Sequence, residues 1–159
     1  MRATTGASSF AIQRGIDAHR AWKAYLLLAI DNNPDDLPLD RIGADCYCTL
    51  GAWLHGVDLS DVDKSSVFYQ IVVQWHRLFH EVAAQVAREV LARKKETARE
   101  LLDGAYADVS QSLISALMAW KTAEDKAAAA ANDRLETCSA AVRSRAYGDD
   151  HWLPRGLLP

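Results

Sequence analysis

Proline and glycine are scarce in this chain, at 4 and 8 of 159 residues. Their scarcity means that strands, tight turns and long loops are few. Charge of one sign is lacking too. Eighteen Lys and Arg stand against 21 Asp and Glu, a net charge of −3 with no basic stripe, which speaks against nucleic-acid binding. The apolar run at 25–30 (YLLLAI) is far too short to span a bilayer, so no membrane insertion is expected. MRATTGASSF at the start carries no apolar signal region, and the expectation is a cytoplasmic protein. Three cysteines, Cys46, Cys48 and Cys138, are an odd number. In a reducing compartment they suit thiols or metal ligands better than a disulfide framework.

What is present is helix-forming: half the residues are apolar, and Ala, Leu, Glu, Arg and Lys dominate. That is enough for one domain with a real core. Ser8 or Ser9 can cap a first helix running to about Ile30, with the stripe Ile12, Ile16, His19, Lys23, Leu26 and Ile30 facing inward. The proline- and aspartate-rich residues 31–40 are expected to be a loop, residues 50–55 a short helix, and residues 58–64 an acidic connection. Ser65 or Ser66 starts a long helix through about Ala92, and a turn at 93–96 leads to a last helix from about Thr97, which Gly104 weakens without breaking. Three long helices and one short one predict an all-α, antiparallel four-helix bundle over residues 1–122, with residues 1–8 disordered. An Ala-rich helical extension (123–146) and a flexible tail (147–159) follow.

Within that frame His76 and His80, four apart in QWHRLFHE, share one helix face one turn apart and can bind a single metal ion. His19 lies on the inward stripe of the first helix, where an imidazole must find a partner. Cys48 opens CTLGAWL at a helix N-terminus, where the dipole is expected to lower a thiol's pKa. Cys46 competes for the sulfur position and is the weaker candidate; Cys138 looks incidental, His55 superficial, and His151 belongs to the tail. Three imidazoles and a thiol suit zinc, which takes four nitrogen or sulfur ligands tetrahedrally. Two enzymatic patterns fit less well. A zincin peptidase needs a glutamate after the first histidine, where Arg77 stands, and a di-iron bundle needs inward carboxylates. A metal-free structural adaptor, with histidines that merely pack, is the other alternative. Trp22, Trp53, Trp75 and Trp120 are expected to serve mainly as core and edge packing.

The motifs His19-Arg-Ala-Trp22, Cys48-Thr-Leu-Gly-Ala-Trp53-Leu54 and His76-Arg-Leu-Phe-His80, in that order, resemble the chemoreceptor zinc-binding (CZB) domain family over roughly residues 10–121. The resemblance implies that His19, Cys48, His76 and His80 are the Zn2+ ligands and that the fold is a four-helix bundle forming homodimers. It further implies a non-enzymatic regulatory module of the kind attached to chemoreceptors and diguanylate cyclases, the enzymes of cyclic-di-GMP signalling. Such a module responds to zinc and, in some receptors, to oxidants such as hypochlorous acid that attack the bound cysteine. No receptor coiled coil or cyclase domain is apparent in this sequence, so the module is expected either to act through a signalling partner or to buffer zinc.

Overall fold

The computed structural model describes residues 5–148, and every regular element among them is an α-helix. The order is α1 (Thr5–Asn32), α2 (Leu39–Gly43), α3 (Thr49–His55), α4 (Asp61–Lys64), α5 (Val67–Leu91), α6 (Lys95–Asp103) and α7 (Ala105–Gly148). Residues 1–4 and 149–159, the latter with His151 and Trp152, lie outside the described residues, and with them much of the expected disordered start and flexible tail. By compactness the chain divides into Met1–Asp125 and Lys126–Pro159.

Side-chain contacts give the direction of each pass in the first unit. Going up the second pass, the Ile42 carbonyl meets His80, Cys48 meets His76, and the Leu54 carbonyl meets Tyr69, so residues 42–54 run antiparallel to α5. Tyr106 stacks near Phe79 and Trp120 near Tyr69, so the last pass is antiparallel to α5 as well. Ser9 bonds Asp125, Lys23 pairs with Asp103, and Asp31 pairs with Arg99, so α1 is antiparallel to α6 and the first part of α7. The topology is up, down, up, down. The expected all-α antiparallel bundle is present, with a second pass built from three short helices.

Several local expectations need correction. The first helix starts at Thr5, ahead of the Ser8 or Ser9 cap, and Ser8 is buried within it. Residues 39–43, the first two of them inside the expected loop, and residues 61–64, expected as a connection, are helical. Helices of four and five residues are too short to show a period, and neither nucleates alone. α2 is held by its packing on α5, with Gly43 against Ala84, and α4 by a capping box between Ser60 and Asp63. Gly104 does break the last helix, which begins at Lys95, pauses at Gly104 and resumes at Ala105. Lys23 faces outward and pairs with Asp103 at 3.2 Å.

The long helices place the core. Ile12, Ile16, Leu26 and Ile30 of α1 meet Val72, Phe79, Ala83, Val86 and Val90 of α5, and Leu102, Tyr106, Leu113, Leu117 and Trp120 close the other side. Each fully buried large side chain contributes about 1.5–3 kcal/mol. Ser66 caps α5 as expected, accepting from the Tyr69 amide. The other end closes with Arg93 at φ 62°, the Arg93 amide bonded to the Val90 carbonyl and the Lys94 amide to the Glu89 carbonyl. This is a Schellman motif with arginine at the position that favours glycine. The Arg93 guanidinium reaches across to the Asn33 carbonyl and the Asp35 carboxylate, tying the ends of α1 and α5 together. In the second unit the helical residues carry Leu135 and Val142, both exposed.

Candidate metal centre

His19, Cys48, His76 and His80 converge. Each offers one ligand atom, and the four atoms all lie within 4.8 Å of one another. Cys48 Sγ is 3.1 Å from His76 Nε2, which is 3.2 Å from His80 Nε2. A tetrahedral ion with ordinary bonds to nitrogen and sulfur sets its donors about 3.3–3.6 Å apart, inside the span this cluster covers. All three histidines are buried and Cys48 is half-buried.

Each position has a local cause. The α5 period puts His76 and His80 inward beside Phe79. His19 comes from the buried stripe of α1, its ring 4.8 Å from Phe79 and 5.0 Å from His76. Gly15, one turn earlier, lets α3 approach: a Cβ there would sit 2.9 Å from a methyl of Leu50. Cys48 is the N-cap of α3, and its sulfur accepts from the Gly51 amide at 3.2 Å. Gly51 is needed for this turn, since a Cβ there would lie 1.6 Å from the Asp45 carbonyl oxygen.

Backbone carbonyls orient two of the rings. His19 Nδ1 donates to the Gly15 carbonyl and His80 Nδ1 to the Ile42 carbonyl, both at 2.7 Å. With those protons committed, both Nε2 atoms present lone pairs toward the cluster. His19 Nε2 is buried with no hydrogen-bond partner among the described residues, as is His76 Nδ1. An inward lone pair without a donor is costly in a closed core, and a cation at the centre of the cluster removes that cost for His19. The donor set therefore fits a metal ion.

Electrostatics point the same way. Burial pushes His19 down to about 4 and His76 to about 2, with neighbouring imidazoles adding to the shift, and burial lowers His80 as well. All three are neutral at pH 7, the form in which an imidazole binds metal. Cys48 departs from expectation. Burial pushes its thiol pKa up, and the Gly51 amide only partly offsets this. A seven-residue helix supplies a modest dipole, and desolvation outweighs it.

The remaining candidates sort themselves by position. Cys46 and Cys138 are exposed and outside the cluster. His55 is partly exposed and pairs with Asp45 at 3.2 Å. Among the described residues no carboxylate joins the cluster; Arg77 and Glu81 pair with each other at 3.5 Å on the outer face of α5. Trp22 stands edge-on to His80 at 5.8 Å, and Trp53 packs on Trp120 at 5.3 Å. The carbonyls of Gly15 and Ile42 carried little sequence signal. A histidine four residues after a glycine on an inward stripe hints at the first, but the second depends on α2, which periodicity does not reveal. No helix among the described residues is long and apolar enough to cross a membrane. Comparison of the chain with family models, with curated proteins and with solved structures gives no match.

Proposed function

We propose that this chain is a zinc-binding regulatory module of the CZB type, with His19, Cys48, His76 and His80 as the ligands and no enzymatic activity of its own. The observation that carries this is the aim of the donors: three imidazoles and one sulfur meet at one buried point, two rings fixed by carbonyls so that lone pairs face inward. Zinc bound there would hold Cys48 as a thiolate and, with four protein ligands, keep no open position for a hydrolytic water. The Arg77–Glu81 pair turns outward, so the glutamate after the second histidine is not placed to serve as a zincin-type general base.

The regulatory part of the proposal rests on an asymmetry of support. The three histidines project from α1 and α5, of 28 and 25 residues, whereas the sulfur caps the seven-residue α3. Cys48 is the one ligand that can also react, and it is half-buried rather than sealed. A change at Cys48, whether loss of the ion or oxidation, releases the weakest of the three elements, and a cytoplasmic signalling partner reads the released α3. The bundle is proposed to work as a homodimer.

The test is elemental analysis of protein purified without added metal, beside Cys48→Ala. We expect about one zinc per chain in the wild type and a sharp fall in the variant. Wild type free of metal, with stability indifferent to chelator, supports instead a structural adaptor. Zinc held at full affinity by the variant removes Cys48 from the site. Equal alkylation rates of Cys48 with and without zinc would overturn the coupling to α3.

A further inference from the structure

Cys46 has no part in the metal centre, yet it stands in the same turn as Cys48. The chain turns sharply across 45–48, between the end of α2 and the start of α3. Both cysteines close on one glycine. Cys46 Cα lies 3.1 Å from the place of a Cβ at Gly51, and Cys48 Sγ lies 3.2 Å from the Gly51 amide nitrogen. The Asp45 carboxylate pairs with His55 at 3.2 Å, which ties the turn to the far end of α3. Even in a fully extended chain, Cα atoms two residues apart are at most about 7 Å from each other, and a turn shortens that into the roughly 4.4–6.8 Å that a disulfide spans. The two thiols differ in surroundings. Cys48 is half-buried and faces His76, whereas Cys46 is exposed and lies outside the cluster.

Resting on the zinc reading above, we propose that Cys46 is the resolving thiol of this site, closing a disulfide on Cys48 after a hydroperoxide has oxidised it. The Cys48 thiolate attacks one peroxide oxygen, the O–O bond breaks, and hydroxide leaves. Cys48 becomes a sulfenic acid, a two-electron oxidation of sulfur matched by reduction of the peroxide. The Cys46 sulfur then attacks the Cys48 sulfur. The S–O bond breaks, the hydroxyl leaves as water with the Cys46 proton, and the Cys46–Cys48 disulfide forms. To meet Cys46, the Cys48 side chain gives up its contacts with His76 and the Gly51 amide. The disulfide then keeps that sulfur out of the centre until a thiol reduces it, and it protects Cys48 from the irreversible sulfinic and sulfonic stages. Cys46 thereby makes oxidative loss of the ion reversible.

The experiment uses the full chain with Cys138→Ser, which removes the third thiol. Zinc content is measured first. Hydrogen peroxide is then added, free thiols are blocked with N-ethylmaleimide, and the tryptic peptide 42–64, bounded by cleavage after Arg41 and Lys64, is weighed. We expect that peptide to be unalkylated and lighter by two hydrogens, with zinc lost in step. Dithiothreitol should restore both thiols and zinc binding. Cys46→Ser in the same background changes an exposed position. It should bind zinc like its parent and lose it to peroxide, but gather sulfinic acid at Cys48 and fail to recover. Circular dichroism establishes that both chains are folded. Zinc-loaded protein in which Cys46 stays open to alkylation after Cys48 is oxidised overturns the role of Cys46 alone, as does Cys46→Ser that recovers zinc as fully as its parent. Protein without zinc at the outset overturns the zinc reading and this one with it.

Discussion

Gly51→Ala is the most discriminating single substitution in the Cys48 turn. The added Cβ would sit 1.6 Å from the Asp45 carbonyl oxygen and 3.1 Å from Cys46 Cα, and neither is the free end of a side chain. An ordinary C···O contact is about 3.3–3.6 Å, so α3 and the turn before it must separate by roughly 1.5–2 Å. That movement breaks the bond from the Gly51 amide to Cys48 Sγ and carries the sulfur from its place 3.1 Å from His76. Metal sites tolerate about 0.2 Å in ligand distance, so zinc affinity should fall by at least about 10- to 100-fold. Overpacking against backbone should also cost about 3 kcal/mol of stability in the metal-free protein. Gly15→Ala is the control, because its Cβ meets only the movable end of Leu50 at 2.9 Å and should cost less than about 1.5 kcal/mol. Urea unfolding of chelated protein, followed by circular dichroism, and zinc competition against a chromophoric chelator measure the two effects. Gly51→Ala within about 0.5 kcal/mol of wild type, with wild-type zinc affinity, would refute this account of the Cys48 turn.

Three further predictions follow from the packing. Phe79 is fully buried and touches His19, His80 and Tyr106, so Phe79→Ala should destabilise by about 3–5 kcal/mol in chemical unfolding; a loss under 1 kcal/mol would contradict its central place. Arg93 sits at φ 62°, so Arg93→Gly should be more stable than Arg93→Ala by about 1 kcal/mol, since both lose the bonds to Asn33 and Asp35 but only glycine relieves the backbone. In chelated protein the depressed pKa values of His19, about 4, and His76, about 2, mean that the unfolded chain, titrating near 6.5, takes up protons first. Stability is then fully present above about pH 6.5 and is lost as pH falls toward 4 and below; thermal unfolding across that range checks it, and a flat profile counts against buried neutral histidines.

Local periodicity was enough to place the long helices and, Lys23 apart, their inward faces. The 3.6-residue repeat of α5 sets Val72, His76, Phe79, Ala83 and Val90 on one stripe whatever they pack against, and Ser66 marks its start. The His76/His80 pair was legible for the same reason, since both ends of the relation lie within one turn. The class of fold followed from scarce glycine and proline and abundant helix formers. What periodicity could not supply is everything that depends on a neighbour distant in sequence. α2 and α4 are too short to be stable alone and owe their helicity to α5 and to a capping box. The break at Gly104 was a weakness in the sequence and became an interruption in the packed chain. The pKa of Cys48 turned on burial, which the sequence does not print, and desolvation reversed the sign expected from the helix dipole. The sequence alone determined four candidate donors and the helices that carry three of them. Only the tertiary structure decided that their ligand atoms lie within 4.8 Å, and that the Gly15 and Ile42 carbonyls turn two rings toward the centre, because both require α1, the broken second pass and α5 to be packed at once.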